Sequence, residues 1–275
     1  MFQYEFLQNA FLSGLIIGVI APLLGVFIVV RKLSLIADAL SHVTLTGIAA
    51  SLLLSKEFPG TFANLNPLYL GMGFSVGGSL FIERLRNVYK HYQELAIPII
   101  LSGGVGLGAI FISMANGFNV DLFSYLFGSV SAVGRTDLWV ISIISVIVVF
   151  TVIFLYKELF LLSFDEEHAK TSGIPAKAIH FIFIVLVALV IAISMRIVGV
   201  LLVSALMTLP VAAALKVAKS FKQTIFMSIL FGEIAVVGGL FTAYYLNLAP
   251  GGTIVVLAIL VLLVTILFKK WQVNR

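Results

Sequence analysis

The chain has 275 residues, 61% of them hydrophobic and 11% charged, with a mean hydropathy of +1.17. Soluble domains carry roughly 25% charged residues, so a water-soluble globular enzyme is excluded and a polytopic membrane protein is indicated. There is no cysteine, which excludes disulfides and thiolate metal sites, and the net charge of +5 has meaning only through its placement.

Apolar runs fall at 8–30, 34–54, 61–82, 95–115, 137–156, 178–195, 197–215, 223–246 and 252–268. At roughly 20 residues per span they predict an all-α protein of eight or nine transmembrane helices. Little chain remains for a soluble domain, so a single transmembrane domain over 1–275 is expected. The start, Met1-Phe2-Gln3-Tyr4-Glu5-Phe6, has no basic n-region, and no cleaved signal peptide is expected.

Basic residues orient the spans. If Arg31 and Lys32 face the cytoplasm, only Lys56, Arg135 and Arg196 of the 17 basic residues fall outside. This is the positive-inside pattern. It places the N-terminus outside and the C-terminus in the cytoplasm of a cell membrane. The positive charge is thus topological and gives no reason to expect nucleic acid.

The second run holds Asp38-Ala39-Leu40-Ser41-His42. Four residues make one helical turn, so Asp38 and His42 share a face, and Ser34 and Ser41 keep the same spacing. At 1.5 Å per residue, Asp38 lies about 10 Å and His42 about 16 Å beyond Arg31, the latter near the middle of a ~30 Å core. A carboxylate at a helix centre costs about 2.5–3.5 kcal/mol in hydrocarbon, so such a pair faces water, a partner or a substrate. Hard oxygen beside imidazole nitrogen is half a site for a divalent metal. An interhelical structural hydrogen bond is the alternative.

Gly14 and Gly18, Gly73 and Gly77, and Gly104 and Gly108 have the spacing that lets helices approach closely. Pro22, Pro98 and Pro210 predict kinks or breaks. The run 102–108 is glycine-rich but has no lysine and lies within a span, so it reads as helix packing, not as a phosphate loop. The stretch 116–136 reads as an extracytoplasmic surface segment. In the longest inner loop, 157–177, Ser163 and Glu166 have capping-box spacing, and Gly173 and Pro175 are stop signals. A short cytoplasmic helix over about 165–172 is expected, suited to docking on a soluble partner. His91, His168 and His180 read as flanking or solvated residues. Arg196 reads as an outer turn between the sixth and seventh runs. Glu233, the other deeply placed acid, is either a third ligand or a structural carboxylate.

The segment 34–43, Ser34-Leu35-Ile36-Ala37-Asp38-Ala39-Leu40-Ser41-His42-Val43, resembles the second-span motif of permeases from bacterial zinc/manganese ATP-binding-cassette importers. Three further segments resemble that family in its order: 121–129, the Ser163-Phe164-Asp165-Glu166 loop with Gly173-Ile174-Pro175, and 199–210. The first six residues look like the zinc branch of Gram-positive bacteria.

The resemblance implies a type II importer fold, built as a homodimer of permeases on two cytoplasmic ATP-binding-cassette ATPase subunits. An extracytoplasmic metal-binding protein would deliver Zn2+, or Mn2+ or Fe2+, as transported substrate. The permease itself would be no enzyme and keep no bound cofactor. The family's metal-site residues fall on Asp38 and His42, and its ATPase-coupling loop on Ser163, Phe164, Asp165, Glu166, Gly173 and Pro175. Glu233 has no counterpart in the motif. From another class, an ion-coupled secondary metal transporter fits the same residues without an ATPase.

Overall fold

The computed structural model describes residues 4–58, 65–115, 120–129 and 133–273. These form α1 (Glu5–Val30), α2 (Leu35–Glu57), α3 (Pro67–Val88), α4 (Ala96–Met114), α5 (Val120–Phe127), α6 (Arg135–Phe154), α7 (Tyr156–Phe164), α8 (Glu166–Thr171), α9 (Ala176–Val198), α10 (Val203–Val217), α11 (Phe221–Leu246) and α12 (Pro250–Val273). No strand occurs among the described residues. Within the expected outer segment 116–136, residues 116–119 and 130–132 lie outside the described residues, as do Met1-Phe2-Gln3 of the N-terminal resemblance.

Among the described residues each of the nine apolar runs holds a helix. Seven of the helices are long and apolar enough to cross a membrane. The other two runs are α3, whose last turns carry Glu83, Arg84 and Arg86, and α10, which is 15 residues long and ends near Lys216. The expectation of eight or nine transmembrane helices thus becomes seven by length and composition, with α3 and α10 completing the bundle.

Burial divides the bundle. α1, α2 and α9 are mostly buried, whereas α4, α6 and α12 expose rows of large apolar side chains such as Leu107, Ile110, Phe150, Phe154, Val264 and Leu267. Water would penalise such rows, and lipid tails solvate them. Glycines set the closest approaches. A Cβ on Gly104 would lie 3.1 Å from Val43 N, and one on Gly78 2.8 Å from Val43 Cγ1, so α2 is gripped between α3 and α4. The glycine-rich run is therefore a packing surface, as read from the sequence. Gly14 and Gly18 likewise meet α11, but Gly73 and Gly77 face open space. Pro22 and Pro210 lie inside α1 and α10. Pro98 sits in the first turn of α4, where its missing N–H costs no hydrogen bond and no kink is required.

The two ends of the bundle are closed by different polar clusters. At one end Arg196 lies inside the last turn of α9, not in the following turn as expected, because α9 continues to Val198. Its guanidinium donates to Asp137 Oδ2 (2.5 Å), Tyr125 OH (3.1 Å) and Asn66 Oδ1 (3.3 Å). Four helices are thereby tied: α9, α6, α5 and the N-terminus of α3. Gly199, at φ +87°, lets the chain turn there, since a Cβ would lie 2.4 Å from Leu126 O. At the other end His180 is buried among Arg31, Glu83 and Arg86. Its reading as an incidental flanking residue is corrected by these contacts, which join residues up to 149 apart in sequence and so have no local signal.

Candidate functional site: the Asp38 cavity and the 157–177 segment

Asp38 and His42 fall one turn apart on α2, both half-buried. Ser34, Leu35 and Asp38 form one wall of a cavity of about 520 Å³ that opens to the outside of the chain. Ser204, Ala205 and Thr208 of α10 face them, and Val255 and Ile259 of α12 close the far side. Thr208 gives its hydroxyl proton to Ser204 O at 2.8 Å, which leaves its oxygen lone pairs as acceptors. The cavity therefore offers a carboxylate and three hydroxyl groups within otherwise apolar walls.

His42 does not line that cavity. The polar face expected on α2 is split: Ser34 and Asp38 open to the cavity, whereas Ser41 is buried and its hydroxyl has no hydrogen-bond partner among the described residues. The α2 backbone beside His42 is held firmly. Thr46 Oγ1 lies 2.9 Å from His42 O and 2.6 Å from Gly104 O, bridging α2 to α4. No group of three or more His, Asp or Glu side chains able to hold a metal occurs among the described residues. Asp38 and His42 thus have no third such group beside them among the described residues.

Glu233 is not brought to Asp38 and His42. It lies on α11 against α1, where a Cβ on Gly18 would sit 2.6 Å from Glu233 Oε1. Gly232, its neighbour, packs on Pro22 and on Gly18 O. Glu233 Oε1 is buried there with no hydrogen-bond partner among the described residues, so it stands apart from Asp38 and His42 without the partner that a structural carboxylate would have.

The 157–177 segment is a pair of short helices, α7 and α8, rather than one. Ser163 is not the cap of α8. It lies in the last turn of α7 and donates its hydroxyl to Leu159 O at 2.7 Å, as a helical serine does. Asp165 caps α8 instead: its backbone is extended at φ −150° and ψ 99°, and Oδ1 accepts from His168 N at 2.8 Å. The side chain of Glu166 is outside the described residues. Gly173, at φ +80°, and Pro175, immediately before α9, stop the segment as expected. Phe160 and Phe164 pack edge-on against Phe221 at 5.0 and 5.7 Å, and Phe221 in turn meets Phe27 of α1 at 5.4 Å. The segment is therefore anchored to the bundle, while Glu167 and His168 remain exposed.

A helical bundle with an apolar outer belt, a deeply placed acid on a cavity and an anchored helical pair at one end defines a multi-pass membrane permease. The chain belongs to the ABC 3 transport family, whose model matches residues 3–269. It is 35% identical over 275 residues to a probable metal transport system membrane protein of Treponema pallidum, covering 100% of this chain and 99% of that one. It is 34% identical to the manganese import system permease protein ScaB of Streptococcus gordonii, over 98% of this chain and 94% of that one. Its fold matches a chain of PsaBC from Streptococcus pneumoniae, solved in complex with Fab, with a TM-score of 0.82 at 33% identity over 96% of this chain and 91% of that chain. The fold is the type II ABC importer permease fold expected from the sequence.

Proposed function

We propose that this chain is the membrane-spanning subunit of an ATP-driven importer of a divalent transition metal. The observation that carries this reading is Asp38: an acid inside a transmembrane helix, opening on a hydroxyl-lined cavity, with an imidazole one turn further on. Asp38 as carboxylate and His42 as neutral imidazole accept the ion in passing. The incomplete donor set suits release, because a closed tetrahedral shell would retain the metal.

The cavity opens to the outside of one chain, so a second copy completes the path in a homodimer. The anchored pair α7 and α8 is the coupling segment, within 157–177, that meets a separate ATPase subunit, one per permease. By the positive-inside distribution this end is cytoplasmic, and the Arg196 end receives the ion from an extracytoplasmic metal-binding protein. The cargo reading has two branches. The N-terminal resemblance favours zinc. The hydroxyl groups of Ser34, Ser204 and Thr208, and the manganese named for the Streptococcus gordonii relative, favour manganese.

The test is reconstitution in liposomes with the ATPase and metal-binding protein, measuring uptake of manganese and zinc separately. ATP-dependent uptake that disappears in Asp38→Ala and His42→Ala, with basal ATP hydrolysis retained, is expected. Undiminished uptake in both variants removes the site assignment. Uptake by the chain alone in an ion gradient selects the secondary-transporter reading.

A further inference from the structure

We infer that His180 is the positioning residue that ties the coupling segment to the metal-bearing helix. The inference rests on the permease reading above.

His180 lies in the second turn of α9, five residues after Pro175, with 7% of its surface exposed. Nδ1 is 2.7 Å from Arg31 Nη2. Nε2 is 3.0 Å from Glu83 Oε2 and 2.6 Å from Arg86 Nη1. A guanidinium only donates and a carboxylate only accepts, so one neutral tautomer meets both helices. Nε2–H donates to Glu83, and Nδ1 accepts from Arg31. Glu83 Oε2 is buried with no other hydrogen-bond partner among the described residues, so it is the acceptor this tautomer needs. Arg86 Nη1, 2.6 Å from Nε2, then meets a donor there and has its acceptors in Glu83 Oε2 at 3.8 Å and, through Nη2, in Gln93 Oε1 at 3.1 Å.

Arg31 ends α1 and opens the turn into α2. That turn is tight: Lys32 has φ 57°, and Leu33 N returns to Ile28 O at 2.9 Å. It transmits a displacement of Arg31 to Asp38, two turns further on, rather than absorbing it. Arg31 also lies over the Phe183 ring at 5.5 Å, so α9 grips it at two successive positions of one face. The relay is continuous: α8 moves α9 through Gly173 and Pro175, His180 carries that motion to Arg31, and the turn carries it to the Asp38 cavity.

The test measures metal ions taken up per ATP hydrolysed, in the full complex in liposomes. His180→Leu is expected to keep metal-stimulated hydrolysis but lose ions per ATP by about fivefold or more, the lower end of coupling between distant sites. His180→Asn, which keeps an acceptor near the Nδ1 position, is expected to recover most of the loss. Arg31→Met should match His180→Leu, and the double variant should be no worse than either. Unchanged stoichiometry in His180→Leu overturns the inference.

A second measurement does not depend on any variant of His180. The chain has no cysteine, so spin labels at Lys32→Cys and Lys177→Cys, carried by only one permease copy of the complex, report one distance. That separation is expected to stay constant between nucleotide-free and ATP-trapped complexes. If it changes, α9 and the turn do not move together and the relay is wrong. A wild-type complex that moves neither manganese nor zinc fails the permease reading instead, and the label distances still decide whether the two elements move as one.

Discussion

Asp137 and Arg196 pair across one end of the bundle, and each completes the other's surroundings. Asp137 Oδ2 takes the Arg196 guanidinium at 2.5 Å and the Gly134 N–H at 3.0 Å, while Oδ1 takes the Asn66 amide at 3.1 Å. The acid is 4% exposed and the arginine 17%. Removing one partner of such a buried pair costs about 3–5 kcal/mol, because the other charge is left uncompensated. Asp137→Ala should therefore lower the unfolding temperature in detergent markedly. Asp137→Leu combined with Arg196→Met should recover much of the loss, and a cycle of thermal melts reads the difference.

Glycine substitutions should separate by what they meet. A Cβ at Gly25 would lie 2.0 Å from Met207 O, a backbone atom that cannot move aside. Gly25→Ala should force α1 and α10 apart and abolish stable expression. At Gly73 nothing lies within 4 Å. There alanine should be neutral or gain about 0.5–1 kcal/mol from helix propensity. Size-exclusion profiles and melts of the two variants check the contrast.

The cap of α8 gives a second contrast. Asp165→Ala removes the side chain that satisfies His168 N, at a cost of about 0.5–2 kcal/mol to α8. Ser163→Ala removes only a hydroxyl bonded back into α7. Faster amide exchange across 166–171 is expected for the first and not for the second. Weaker binding of the ATPase subunit should follow the same order.

Glu233 and Asp38 should behave differently under neutralisation. Glu233 packs against Gly18 rather than on the Asp38 cavity. Glu233→Gln keeps its size and should leave metal uptake near wild type, whereas Asp38→Asn should abolish it. Equal loss of uptake in both, with both proteins folded, would place Glu233 on the ion path.

Local pattern made much of this protein legible. The long helices follow from apolar runs, because backbone in lipid must bond to itself and only an uninterrupted helix does so over 20 or so residues. Asp38 and His42 stood out because a charge in such a run is costly and therefore purposeful. Gly173 and Pro175 stopped a helix by their own backbone restrictions. The cap was misread because Ser163 and Asp165 have similar intrinsic preferences, and only the end of α7 decided which one was free to cap.

His180 and Arg196 show the limit. Both are single residues in α9 with ordinary neighbours, and their partners lie on helices distant in sequence. Nothing periodic marks such residues; they acquire a role only when helices pack. The sequence by itself determined the membrane class, the place of the long apolar helices and the candidate pair on α2. Tertiary structure alone decided that Asp38 opens on a cavity with Ser204 and Thr208, that Glu233 does not, and that His180 meets Arg31, Glu83 and Arg86. The reason is physical: helix formation and hydrocarbon burial act along the chain, whereas a polar contact between helices exists only after their faces and registers have been chosen.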